Sequence, residues 1–135
     1  MISDDRARLD MDYVHDAIAS SYWAIGSPRE LTERSWANSM CFGLYAPDGT
    51  QVGFARVLTD YALRAHIADV FVHPGARGLG LGKALAETIL NHPALMTVSR
   101  WTLTTADAQE FYRKYGFQSG KADDTWMVRE RTEQV

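Results

Sequence analysis

Apolar residues along this chain follow two different periods, and the switch between them sets out the elements. Val14, Ala17 and Ile18 share one face of a helix from about Met11 to Ser20, with Asp10 in place to cap it. Pro28 starts a second helix to about Asn38, with Glu30 in its first turn. Met40–Ala46 and Thr50–Thr59 then read as a hairpin across Pro47, Asp48 and Gly49. Ile67, Val70, Phe71 and Val72 make a buried strand that ends at His73. The helical period returns from about Gly80 to Asn91, with Leu81, Leu85 and Ile89 as its stripe, and stops before Pro93. A strand at Arg100–Thr104 comes next. A short helix with a capping-box-like start at Asp107 and Glu110 then runs to a stop at Gly116. Ile2 and Ser3 form a short first strand, and Thr125–Arg129 a last one. Strands in runs, with helices at selected crossings, predict an α/β layered domain with a mixed sheet.

Length and charge narrow the partners. The 135 residues suffice for one core, so a single domain over 1–135 is expected. A formal charge of −3 with both signs interspersed argues against a nucleic-acid partner. Cys41, alone and in an apolar run, is expected in the core and not as a nucleophile. No run approaches the roughly 18 apolar residues of a membrane span, and Asp4, Asp5 and Arg6 replace a signal-peptide core. The expectation is a soluble cytoplasmic protein with no membrane partner.

Candidate chemistry concentrates where the buried strand meets the next helix. His73, Pro74 and Gly75 end the strand. Gly78, Gly80 and Gly82 then leave backbone N–H groups unobstructed at a helix N-terminus, where orphan donors and the dipole favour an anion. Arg77 and Lys83 flank that cradle with positive charge. A Walker A loop requires four residues between its first glycine and Gly-Lys, then Ser or Thr; here only three residues lie between Gly78 and Gly82-Lys83, and Ala84 follows. The strictly alternating glycines also miss the dinucleotide fingerprint. A tight turn that merely packs the helix on the sheet is the competing reading.

Arg77, Gly80 and Gly82 spell Arg-x-x-Gly-x-Gly behind a Val-x-Pro strand end. Further on, Ala108, Phe111, Tyr112, Gly116 and Phe117 spell a second signature in the matching order. Together they resemble the GNAT acetyltransferase superfamily along essentially the whole chain. The resemblance implies an α/β, single-domain GNAT-like fold, with a mixed central sheet whose splayed central strands are flanked by helices. It implies acetyl-CoA as co-substrate, no metal, and transfer of acetyl to a primary amine by direct attack on the thioester. The acceptor is a small molecule or a peptide amine, and a homodimer stays open as the assembly. Cofactor contacts are implied for the backbone of Val70, Phe71 and Val72 and for the loop Arg77, Gly78, Leu79, Gly80, Leu81, Gly82 and Lys83. Thr105 stands where many relatives carry a cofactor-holding asparagine, so that contact falls to a hydroxyl.

Amine attack on a thioester needs proximity, a base, an oxyanion donor and an acid for the departing thiolate. Tyr112 is the expected acid, because a phenol of pKa near 10 is protonated at neutral pH; the bland alternative is a packing ring. The base stays open between Asp69, a carboxylate inside an apolar strand, His66 at the head of that strand, and bulk water. A mid-strand bulge would decide which of these shares a face. Tyr22, Trp23, Arg29, Glu30 and Trp36 are expected around the acceptor, with aromatic packing of thin helices as the alternative. Two rivals complete the field: a catalytically silent acyl-CoA-binding or sensing module, and a nucleotide-binding protein that uses the same loop.

Overall fold

A computed structural model describes residues 1–20, 27–105, 107–120 and 127–130. The chain forms two compact units, Met1–Thr104 and Thr105–Val135.

The first unit is built on five strands, β1 (Ile2–Ser3), β2 (Met40–Tyr45), β3 (Gln51–Thr59), β4 (Arg64–Val72) and β5 (Arg100–Leu103), ordered as in the sequence. Every pairing is antiparallel except β4 with β5, which is parallel. The β2–β3 turn forms as its residues require: Gly49 takes φ +90°, and Asp48 Oδ1 accepts from Thr50 N at 2.9 Å. Helices α1 (Met11–Ala19), α2 (Arg29–Ala37) and α3 (Leu81–Leu90) join the strands. Asp10 caps α1 as expected, accepting from Tyr13 N at 3.1 Å.

All six residues of β2 are buried, so both of its faces are covered. Cys41 belongs to one side, in a cluster with Val14, Ile18, Trp36 and Phe54. Phe42, one residue on, points the other way against the ring of His92, just past α3. Trp36, expected near the acceptor, is instead a core anchor: it is 1% exposed and meets Phe54 edge-on at 5.2 Å. Burying a side chain of that size stabilises by roughly 1.5–3 kcal/mol, which is what a two-turn helix with a polar outer face needs. Cys41 is equally a core residue, and burial raises its thiol pKa.

Strand β4 is irregular in two places. Arg56 pairs with Asp69 but Val57 pairs with Ile67, so Ala68 is an extra residue, a β-bulge. The parallel ladder with β5 runs from Arg64↔Arg100 to Ile67↔Leu103 and ends there, while β4 continues to Val72. Within the first unit, then, the later half of β4 has a strand on one side only.

The second unit holds α4 (Gln109–Arg113). Asp107 does not cap it. The N-cap is Ala108, one residue later than the capping box would place it, and no side chain caps the helix; Thr105 Oγ1 accepts from Ala108 N at 3.0 Å, just ahead of it. Gly116 adopts φ +92° and closes the helix, as expected. Of the last strand, Thr125 and Trp126 lie outside the described residues. Met127–Arg129 carry no strand: Met127 and Val128 are exposed, with no apolar face to bury.

Candidate active site

The loop after β4 makes a nest of donors. A short 3₁₀ turn, Pro74–Ala76, leads to Gly78 and Gly80 at φ +83° and +76°, backbone that a side chain would strain. Gly80 is the N-cap of α3 and has no side chain to cap it. The first helical bond is Ala84 N to Gly80 O at 3.1 Å. Among the described residues no protein group accepts from the N–H of Gly78, Leu79, Gly80, Leu81, Gly82 or Lys83. A Cβ built on Gly78, Gly80 or Gly82 would meet nothing within 4 Å. The glycines therefore do not serve close helix–sheet packing; they leave the space beside six donors open. Such a site suits a phosphate. Arg77 is steadied by donating Nε to Val72 O at 2.9 Å, and its guanidinium lies over Phe71, 5.9 Å from the ring centre. The remaining guanidinium nitrogens carry its charge beside the loop.

Among the described residues, the strand edge leading to that loop has no strand beside it, and Val72 O is met only by Arg77 Nε. His73 N donates to Val52 O at 2.7 Å, so by the alternation of an antiparallel ladder Val70 and Val72 turn their N–H and C=O away from β3. That is the edge where β5 has ended.

Upstream, the bulge brings side chains together. Leu58 pairs with His66 and Arg56 with Asp69; Arg56 and Leu58 share a face of β3, so His66 and Asp69 share a face of β4 although three residues apart. Asp69 is 8% exposed and accepts from Arg56 Nε at 2.7 Å. Arg56 also reaches Ser39 Oγ at 3.2 Å, which in turn donates to Ser35 O at 2.7 Å, tying the bulge to α2. This is the paired, hydrogen-bonded form in which a buried carboxylate is tolerated. His66 has a different partner, with Nδ1 2.7 Å from Thr102 Oγ1 on β5. Burial, and then the nearby Arg56 charge, lower the His66 pKa below its ordinary 6.5, outweighing Asp69.

Tyr112 lies on α4 in an aromatic group with Phe111 at 5.0 Å and Phe117 at 5.8 Å. Burial raises its phenol above 10.0, so it stays protonated. Thr105, as the acceptor of Ala108 N–H, keeps its own hydroxyl proton to donate. Of the residues expected around the acceptor, Tyr22 and Trp23 lie outside the described residues. Arg29 is exposed and paired with Asp12 and Glu33, and Glu30 with Arg34.

Three participants were not singled out from the sequence. Arg56 had a signal, a lone cation in an apolar strand opposite the lone carboxylate of its neighbour. Thr102 had none without the β4–β5 register. Tyr13, on α1, packs edge-on to Phe54 and Phe71 at 6.2 Å each, and its buried hydroxyl has no partner among the described residues.

Known proteins share this fold. The acetyltransferase (GNAT) domain matches residues 38–119. A crystal structure from Xanthomonas campestris pv. campestris, described as belonging to the GNAT family, is similar to 97% of this chain and 92% of that one, at 39% identity and TM-score 0.92. A histone acetyltransferase of Glycine max, TAP1, is 44% identical over 70 residues, half of this chain but 30% of the soybean protein. An acetyltransferase-like sequence of Gibberella zeae is 28% identical over 137 residues, 84% of this chain and 76% of that one. The chain thus spans about a third of the length of the first curated relatives it matches, at 30%, 28% and 38%. A family domain covering more than half of the sequence, with a five-stranded mixed sheet to match, makes this chain a member of the GNAT acetyltransferase family.

Proposed function

We propose that the protein transfers an acetyl group from acetyl-CoA to a primary amine by direct attack of the amine on the thioester. The observation that carries this reading is the run of N–H groups from Gly78 to Lys83, without acceptors among the described residues and beneath open space, following a β4 edge at Val70 and Val72 that no described strand pairs. The loop donors and Arg77 hold the pyrophosphate. The Val70–Val72 edge holds the pantetheine arm as a further strand would be held, and Thr105 donates to the cofactor. The co-substrate supplies the electrophilic thioester carbonyl.

His66 is the base. Its lowered pKa keeps the ring neutral at pH 7, and Nε2 takes the proton released by the amine as the C–N bond forms. Asp69 is the weaker candidate because its charge is committed to Arg56. Tyr112 gives its phenolic proton to the thiolate as the C–S bond breaks, a role that rests on its place in the family signature and on its raised pKa. The acceptor pocket falls to the segment containing Tyr22 and Trp23.

The test is a CoA titration by calorimetry, then thiol release from acetyl-CoA across an amine panel. Tight CoA binding with turnover on at least one amine is expected. Binding without turnover on any amine would favour a silent acyl-CoA-binding module, and protection by ATP but not CoA would favour a nucleotide-binding protein. With an acceptor in hand, Tyr112→Phe should lower turnover by roughly 10²–10⁴-fold with cofactor affinity unchanged. The acid limb of the rate profile should fall below pH 6.5, because a depressed histidine pKa keeps the base free to lower pH. The alkaline limb should lie above pH 10.0, because the raised phenol ionises late, and it should vanish in the Phe variant.

A further inference from the structure

The pairing of His66 with Thr102 carries more than the choice of base. We propose that Thr102 is a positioning residue for His66: its hydroxyl oxygen accepts Nδ1–H and leaves Nε2 bare as the atom that receives the amine proton. The proposal rests on the reading of His66 as base, and it adds the residue that makes the ring competent.

Three observations support it. His66 and Thr102 are direct partners in the parallel ladder, one residue before that ladder ends, so the contact sits where β4 and β5 part. The Nδ1···Oγ1 distance of 2.7 Å is a full hydrogen bond, and Thr102 is the ring's single partner among the described residues. The imidazole is also half-buried and disfavoured as a cation by Arg56, so it is neutral at pH 7 and carries one proton on one of two nitrogens.

The direction of that bond then decides the chemistry. If the hydroxyl donated to Nδ1, the ring proton would sit on Nε2, with no lone pair left for the amine. If the hydroxyl accepts, Nε2 keeps its lone pair, and the half-exposed Thr102 gives its own proton to solvent. The charged groups around the ring comprise Arg56 from β3, Arg64 and Asp69 from β4, and Arg100 from β5. Asp69 is held by Arg56, and the register places Arg64 opposite Arg100 at the exposed start of the ladder. Among the described residues, Thr102 alone bonds the ring directly.

The test is the ¹⁵N spectrum of the His66 ring in the intact protein at neutral pH, in wild type, Thr102→Val and Thr102→Ser. Protonation at Nδ1 in wild type, a switch toward Nε2 in the Val variant and restoration in the Ser variant are expected. Protonation at Nε2 in wild type, or a Val variant whose tautomer does not move, would overturn the proposal. Turnover supplies the second readout. Losing one hydrogen bond to a neutral ring is worth up to about tenfold, so the Val variant should turn over roughly tenfold more slowly at unchanged KM for acetyl-CoA. Its acid limb should move to lower pH, because the imidazolium also loses an acceptor, and the Ser variant should recover both. A residue that merely packs the strands would change stability and leave tautomer and acid limb in place. His66→Gln separates the two layers: wild-type turnover in that variant retires His66 as base even where the spectrum shows the predicted tautomer.

Discussion

The two halves of β4 solve opposite problems. Before and at the bulge, side chains have partners: His66 with Thr102, and Asp69 with Arg56 and through it Ser39. After the bulge, among the described residues, backbone is left without a strand partner at the outward edge of Val70 and Val72 and without acceptors at the six N–H groups of Gly78–Lys83. The first half spends its polar groups on one another and is fixed by register. The second half withholds its polar groups and is fixed by the absence of side chains. In the function proposed above, one strand carries the base at one end and the cofactor edge at the other.

The largest expected effect breaks the first half. Asp69→Ala leaves the Arg56 guanidinium buried without its carboxylate, which costs about 3–5 kcal/mol; urea denaturation measures it. CoA affinity of the molecules that remain folded should not change, since the loop makes no use of the pair. Loss of affinity at full stability would show that the two halves are not separate.

Next comes the reverse break. Gly82→Val fills open space at a helical backbone angle, so its stability cost should stay near 1 kcal/mol or below, while CoA affinity falls at least roughly tenfold. Gly80→Val should lose comparable affinity and add a cost of about 1–2 kcal/mol for its φ of +76°. Unchanged CoA affinity in a folded Gly82→Val protein removes the phosphate assignment from the loop.

Arg77→Ala is milder. A few-fold loss of CoA affinity with a shallower salt dependence is expected, because a charge beside the phosphate is gone. An unchanged salt slope would mean that Arg77 acts only through its bond to Val72 O. The smallest effect is a gain. Tyr13→Phe removes a buried hydroxyl that has no partner among the described residues, and thermal unfolding should show about 1 kcal/mol of added stability.

The contrast between the halves of β4 also marks what the amino-acid sequence disclosed. Glycines at alternating positions after a strand are a local signal, so the loop and the helix it heads could be read directly. So could the Asp10 cap and the hairpin at Gly49. The Asp69–Arg56 and His66–Thr102 pairs needed register, and register turns on one extra residue, Ala68, which no propensity marks. Trp36 misled for a related reason. An aromatic residue in a thin helix suits a pocket or a core equally, and only the positions of Val14 and Phe54 around it decide for the core. Asp107 misled because the helix starts one residue later, with Ala108 as its N-cap, which leaves Asp107 outside the capping position.

Ala68 has a consequence for anyone altering this strand. It divides β4 into two reading frames: residues 64–67 and 69–72 obey the same inside–outside alternation, but out of phase with each other. Deleting that one alanine would keep every other side chain and close the gap in the ladder. It would also leave His66 on the face that Asp69 and Phe71 occupy, now two residues from Asp69, so that only the bulge and its local bend are lost. A deletion at the bulge is therefore the one length change that keeps both frames in place, whereas a one-residue indel within either frame turns the residues beyond it to the opposite face.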